Sequence, residues 1–599
     1  MTATLEHRGP DEDGYFVSEG VEFGMRRLAI IDVANGHQPA TSETGAIQVI
    51  LNGEIYNFLQ LAQALSARGH TFRSTSDTEV VAHAYEEWGA ACVHHLHGMF
   101  ALAIWDHRSQ ELILARDRVG KKPLVYSALA DGGLVFASEA RALLSAGIPA
   151  RPNFASLNHV LAFGYSPIRN TAFDGIHALP PAHILRWHDG HTTTERYWDL
   201  DWSTSRSLEP QEAVQGALDV IRDAVRRRLV SERPLGVFLS GGIDSTIVAA
   251  LARDIQEGPI STFTASFGDP RFDESTHARA VAEALGTQHH TLQVTADPTL
   301  IGDRLPVVFD QPFADSSAVP TYLLAHFARE HIVVALGGDG GDEGFAGYDR
   351  YLATPRLQRM NAALKLAQPL RGPIERVASR YGDRRLHRVA RALRAYPSMA
   401  ERYAGLMTLA TATDRGELWS GAVVGELDLA APEQHFDALW RQAPATSPVD
   451  RMVAVDFASY LPGDLLVKAD ISTMAASLEL RSPLLDSEVL EYAATIPWRI
   501  RTNGGVSKYI LKQLAYRFVP RELMDRPKMG FGIPRARWLR GELRELLHDT
   551  LLDTTATQRG WFESSTVSAL VQQHLSGNDR DSVLWPLLMI ELWARKWID

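Results

Sequence analysis

Pro234-Leu-Gly-Val-Phe-Leu-Ser240-Gly241-Gly242-Ile243-Asp244-Ser245-Thr-Ile-Val-Ala-Ala-Leu251 is the stretch on which the fold turns. Leu235 to Leu239 predicts a buried parallel strand, and Ile247, Val248 and Leu251 predict the apolar side of a helix. Between them, two adjacent glycines let the backbone approach a ligand, so that successive N–H groups point at one oxyanion. The positive end of the helix favours phosphate at the same spot. No lysine stands in the turn, which separates it from nucleotide loops ending Gly-Lys-Ser or Gly-Lys-Thr. An ordinary strand–helix turn with two glycines is the plainer alternative, but the strand–turn–helix setting favours a phosphate loop.

Downstream, Ser261 to Phe267 predicts a second strand, and a helix begins at Asp273-Glu274-Ser275. A third strand, Ile332 to Leu336, runs into Gly337-Gly338-Asp339-Gly340-Gly341-Asp342-Glu343. This spacing predicts a doubly wound sheet with its ligand beyond the carboxyl ends of the strands, where both glycine turns converge. Carboxylates beside phosphate repel it unless a divalent cation intervenes. Asp339 and Asp342 therefore read as serving Mg²⁺ or the activated substrate, and Glu343 as a helix N-terminal acid. Ser240 to Ser245 resembles the pyrophosphate loop of enzymes that transfer AMP from ATP. In that resemblance Asp244 holds Mg²⁺, and Ser240 and Ser245 bond phosphate oxygens.

The chain of 599 residues is long enough for at least two cores, and 45% apolar with 22% charged residues describes an ordinary globular protein. A net charge of −12 argues against a general nucleic-acid or membrane-surface binder. One cysteine, Cys92, excludes an internal disulfide framework and fits a reducing cytoplasm. The first residues hold no apolar signal segment, and no apolar run is long enough to span a bilayer. A soluble cytoplasmic protein is the expectation.

The opening 200 residues predict a layered α+β unit. Its strands are Leu28–Val33, Ile47–Leu51, Phe100–Trp105, Glu111–Ala115 and Leu134–Ala137, with helices at 58–68 and 78–88, the second N-capped by Asp77. Prolines at 149, 152, 167, 180, 181 and 210 place the boundary near residue 200. Arg222, Arg226, Arg227 and Arg228 alternate with Ile221, Val225 and Leu229 and read as a solvated helix face. Cys92, His94, His95 and His97 lack a second pair of ligands, so they read as surface rather than zinc. Residues 354–450 read as peripheral helices.

Five strings occur in order: His7-Arg-Gly-Pro-Asp11, Arg27-Leu-Ala-Ile-Ile31-Asp32, Asn52-Gly53-Glu54-Ile-Tyr-Asn57, Ser76-Asp77-Thr-Glu79 and Ala115-Arg-Asp117. Together they resemble the glutaminase domain of the asparagine synthetase B family, an N-terminal-nucleophile hydrolase sandwich. Gly338 to Tyr348, Lys468-Ala-Asp470, Leu480 to Asp486, Ser507 to Lys512 and Pro527 to Pro534 extend that resemblance along the chain. It implies a glutamine amidotransferase type-2-like domain over 1–200 and an ATP pyrophosphatase domain over 201–599. Arg27 would pair with the glutamine α-carboxylate beside Ile31. Asn52 and the Gly53 amide would form an oxyanion hole, and Glu54 and Asp77 would hold the α-amino group. The nucleotide would meet Phe238, Ser240, Gly241, Gly242, Asp244, Ser245, Ala265, Gly337 and Gly338. Asp244 and Asp342 would bind the metal, with Asp244, Asp339 and Lys508 assigned to the reaction.

The family begins Met-Cys-Gly, whereas Met1 is followed here by Thr2. The N-terminal thiol and the first strand are missing, so this chain is expected to use ammonia. The resemblance implies ATP and Mg²⁺, small-molecule substrates, no nucleic acid or membrane partner, and leaves a homodimer open. Aspartate is the default acceptor. Phe267 to Glu274 and Phe309 to Pro320 are similar to an exosortase-associated amidotransferase branch whose acceptor differs. Two alternatives stay open: the same ligase chemistry on another carboxylate or with an internal or peptide amine, and a catalytically silent scaffold.

Overall fold

The computed structural model describes residues 1–267, 269, 273–354, 357, 359, 363, 366, 369, 373, 398–526 and 532–599. Pro527 to Phe531, most of the stretch between Phe267 and Asp273, and much of 355–397 lie outside the described residues.

The amino-terminal part is built on a six-stranded antiparallel sheet. Its spatial order is His191–Arg196, His183–His188, Glu111–Arg116, Gly98–Asp106, Ile47–Ile55 and Ala40–Thr41. The strand Gly98–Asp106 shows why this segment is central. Phe100, Leu102 and Ile104 face a core shared with the helices Phe58–Ser66 and Asp77–Trp88. The alternate residues Ala101, Ala103 and Trp105 face a second core containing Val21, Phe23 and Leu124, beneath two smaller sheets. Period-two alternation with both faces apolar makes the strand the middle layer of a sandwich.

The carboxyl-terminal part holds a five-stranded, all-parallel sheet in the order Gln288–Val294, Ser261–Phe267, Leu235–Phe238, Val334–Leu336, Glu479–Arg481. The strand leading to the glycine turn is thus central, and the helix Ile243–Ile255 after it buries Ile247, Val248 and Leu251. The molecule is an α+β sandwich followed by an α/β part built on a parallel sheet with added helices.

Four expectations are corrected. Leu28–Val33 forms no strand. Asp32 adopts φ +46°, and the carbonyls of Ile31, Asp32 and Val33 turn inward to accept bonds from the Arg27 guanidinium. Asp77 is not the N-cap: Ser76 accepts from the Thr78 amide, while the Asp77 carboxylate accepts from Ile55 N at 3.0 Å. Arg227 and Arg228 are not solvated like their neighbours; Arg228 is buried, bonds Asp486 at 2.6 Å and lies over the Tyr56 ring. The described helices between 398 and 450 are not peripheral. Tyr403, Leu418, Trp419 and Phe436 sit in the largest core, and Tyr351, Tyr403 and Arg350 converge on the buried Asp456. Among the described residues no helix is long and apolar enough to cross a membrane.

Candidate functional site

The central strand delivers its glycine turn in a preset shape. Ser240 N donates to Ser245 Oγ at 3.2 Å, Gly242 N donates to Ser240 Oγ at 3.2 Å, and Ser245 Oγ donates to Gly242 O at 3.2 Å. Gly241 has φ +73°, and a Cβ there would stand 2.9 Å from Ala278 N, so both conformation and space demand glycine. The neighbouring strand Val334–Leu336 delivers the second turn against the first: a Cβ on Gly338 would meet Ser245 N at 2.8 Å. Parallel strands side by side therefore bring two loops, nearly a hundred residues apart in sequence, into one contact.

Between them opens a cavity of about 1210 Å³. Phe238, Ser240, Gly241, Gly242, Asp244, Ser245, Ala265, Gly337, Gly338, Asp339, Asp342 and Lys508 all line it. Lys508 Nζ bonds the Asp244 carboxylate and stands 2.9 Å from Asp342 Oδ1. Burial alone would lower the Lys508 pKa, but the two carboxylates outweigh it and hold the pKa above its ordinary value. Asp339 accepts from Ser482 Oγ at 2.9 Å, and Lys121, from the amino-terminal part, donates to that same hydroxyl at 2.7 Å. Glu343 is no simple helix-end acid. It is buried and accepts from Tyr348 Oη at 2.6 Å; burial, then the Asp342 carboxylate, push its pKa up to about 7.

Sequence reasoning left several cavity residues without roles. Lys468 bonds Asp315 at 2.9 Å and Ser317 at 2.8 Å, while Tyr348, Tyr460 and Arg526 complete the walls. The Lys468-Ala-Asp470 string marked the first of these; nothing local marks the tyrosines.

A second cavity of about 150 Å³ collects Arg27, Ile31, Asn52, Gly53, Glu54 and Asp77. The Arg27 guanidinium is already engaged by Glu12 at 3.1 Å and by the inward-turned carbonyls. Asn52 Nδ2 donates to Ser138 Oγ at 3.1 Å. Burial pushes Asp77 up to about 6. Glu54 is also pushed up, by burial and the Asp77 carboxylate, against the pull of Arg481, whose guanidinium it meets at 3.0 Å. Met474 and Glu479 join the lining from the other half. Cys92 lines neither cavity; it is fully buried, which drives its thiol up to about 12.

Buried charge links the smaller cavity to the carboxyl-terminal part: its lining residues Arg8 and Lys122 bond Asp470 at 2.6 and 3.0 Å, and Arg8 also bonds Glu139 at 2.9 Å.

Family models for asparagine synthase and for a glutamine amidotransferase domain match residues 216–595 and 1–198. The chain belongs to the asparagine synthase family. Its family relatives include asparagine synthetase [glutamine-hydrolyzing] 1 of Bacillus subtilis (strain 168), 32% identical over 99% of this chain and 92% of the relative. A putative asparagine synthetase [glutamine-hydrolyzing] of Mycobacterium tuberculosis (strain ATCC 25618 / H37Rv) is 34% identical, covering 98% and 92%. Asparagine synthetase [glutamine-hydrolyzing] 3 of Bacillus subtilis is 30% identical, covering 89% and 83%. As a member of the asparagine synthase family the chain is an enzyme, a carbon–nitrogen ligase.

Proposed function

We propose that this enzyme adenylates a carboxylic acid with ATP and converts the acyl-adenylate to an amide, with aspartate the default acid. One observation carries the reading: both glycine turns, Asp244, Asp339, Asp342 and Lys508 line a single cavity at the carboxyl ends of parallel strands. The substrate carboxylate attacks the α-phosphate and pyrophosphate leaves; ammonia then attacks the activated carbonyl and AMP leaves. The amides around Gly241 and Gly242, with the end of the Ile243–Ile255 helix, cradle the departing pyrophosphate. Lys508 offers charge to the leaving phosphate.

Asp244 and Asp342 would hold Mg²⁺. The donor set fits: two carboxylates already share one cation, the Lys508 ammonium, where an oxygen-seeking divalent ion would also be satisfied. Bound there, Mg²⁺ would neutralise phosphate charge. The division into a glutamine-binding part over 1–200 and a synthetase part over 201–599 belongs to the same reading.

The nitrogen source of the 599-residue polypeptide is inferred to be ammonia. Its single thiol, Cys92, is buried, protonated and away from both cavities. Holding glutamine without a nucleophile does not cleave its amide. The test is exchange of labelled pyrophosphate into ATP, screened over carboxylic acids, followed by amide formation with ammonium or glutamine. Exchange dependent on one acid is expected, with product from ammonium alone. No exchange with any acid defeats the ligase reading. Glutamate release that persists in Cys92→Ala defeats the nitrogen assignment.

A further inference from the structure

Four side chains outside both cavities converge on one point of the sandwich. Glu43 comes from the turn between the strands Ala40–Thr41 and Ile47–Ile55, and His70 from the segment after the helix Phe58–Ser66. His83 and Glu86 lie three residues apart on the helix Asp77–Trp88 and so share a face. Their nearest ligand atoms all lie within 4.8 Å of one another. We propose that Glu43, His70, His83 and Glu86 form a structural site for a divalent transition metal, zinc before others.

Two independent features point to a missing cation. The first is a set of buried atoms without hydrogen-bond partners: Nδ1 of the fully buried His83, Oε2 of Glu43 and Oε2 of Glu86. His83 Nδ1 and Glu43 Oε2 face each other as an ion pair. His70 Nδ1 stands 2.8 Å from the other oxygen of Glu43. Beyond the His83–Glu43 ion pair these buried atoms have no hydrogen-bond partner, and one ion placed among them would satisfy all three.

The second feature is the outer ring. His83 Nε2 is 3.4 Å from Glu79 Oε1, and His70 Nε2 is 3.5 Å from Glu87 Oε2. Glu79 is itself fixed by the Arg73 and Ser74 amides at 2.8 Å each. Both imidazoles thus aim Nδ1 inward with a carboxylate behind Nε2, the arrangement that sets the tautomer of a metal-bound histidine. Glu86 is oriented by Thr44, which donates to its Oε1.

The chemistry selects the ion. Two neutral imidazoles and two carboxylates carry a charge of about −2, which one divalent cation cancels. Magnesium and calcium prefer all-oxygen shells, whereas zinc accepts nitrogen and oxygen together. Tetrahedral ligands about 2.1 Å from zinc stand about 3.4 Å apart, so the widest separations would close by roughly an ångström while His83 and Glu43 move apart. Four protein ligands leave no open position, which makes the site a staple rather than a reaction centre. It would pin the 42–46 turn to the helix that presents Asp77.

Untagged protein, dialysed against zinc-containing and then metal-free buffer, is assayed by elemental analysis. One zinc per chain is expected, removable by strong chelator with a fall in the thermal midpoint of several degrees that zinc restores. Replacement by Co²⁺ should give the intense visible absorption of a tetrahedral ion. Glu79→Gln should weaken affinity about 10- to 100-fold. His83→Gln should abolish binding; because that position is in the core, Glu86→Gln serves as a second, more conservative variant. Zinc well below one per chain, with no midpoint response in the wild-type protein, overturns the proposal and leaves histidine–carboxylate ion pairs only.

Discussion

Replacing Arg481 by methionine tests the link between the two halves. The side chain is fully buried on the last strand of the parallel sheet. Its Nε donates to Glu479 at 2.8 Å, and its Nη2 to Glu54 at 3.0 Å. Nη1 donates to the carbonyls of Arg228 at 3.0 Å and Val230 at 2.6 Å. Methionine fills most of the volume but satisfies none of these four acceptors. Breaking a buried pair by removing one partner costs about 3–5 kcal/mol, because the remaining charge stays desolvated. The loss should depend on pH. Burial and Asp77 already raise the Glu54 pKa while Arg481 opposes them, so without the guanidinium Glu54 rises further. The cost is therefore largest at pH 8 and shrinks as Glu54 takes up a proton on acidification. Urea unfolding followed by tryptophan fluorescence at pH 8 and pH 6 reads both effects. Adding Glu54→Gln should return about 2 kcal/mol by removing one stranded carboxylate. A loss below about 1 kcal/mol at pH 8, or no recovery in the double variant, would refute the reasoning.

Asp244→Asn should leave the circular dichroism spectrum intact yet abolish pyrophosphate exchange; near-normal exchange removes Asp244 from the mechanism. Lys508→Met should slow exchange about a hundredfold, on the order of 3 kcal/mol, with ATP affinity little changed. Loss of ATP binding at an unchanged rate would place Lys508 in ground-state binding instead. Asp77 has its pKa raised, chiefly by burial, to about 6. The folded state therefore holds this proton more tightly, and stability falls as pH rises from about 4 through 6, by on the order of 3 kcal/mol from this group. Asp77→Asn should flatten that slope; an unchanged difference between urea midpoints at pH 4.5 and 7.5 would exclude Asp77 as its source.

Local pattern carried the three inner strands of the parallel sheet, which are short buried runs beside glycine turns, but not the polar edge strand Gln288–Val294. Ser261–Phe267 was legible to the residue for that reason. Leu28–Val33 looked equally apolar, but its conformation is dictated by a guanidinium one residue upstream that needs carbonyls, a demand invisible to periodicity. That the two glycine turns would line one cavity was legible because each is a short motif at the end of a strand. The closing strand Glu479–Arg481 was hidden: three residues, flanked by no glycine, paired to a strand about 140 positions earlier. Partners such as Arg8 and Asp470, or Arg481 and Glu54, are separated by more than 400 residues, and no local window joins them. Arg228 was misread for the same reason, since its carboxylate lies in Asp486.

The strand order also sets a timetable for synthesis. The central strand Leu235–Phe238 leaves the ribosome about 240 residues before Glu479–Arg481, the strand that finishes its sheet. At about 5–20 residues per second this interval lasts roughly 12 to 50 seconds. Once made, Val334–Leu336 presents an unpaired edge until Glu479–Arg481 follows, and Arg8, Lys122 and Glu54 wait for their partners Asp470 and Arg481. The nascent chain therefore keeps an open sheet edge and incompletely walled cavities while that segment is still to be made. The smaller cavity gains its last lining residue at Glu479, and the larger one only with Ser507 to Arg535.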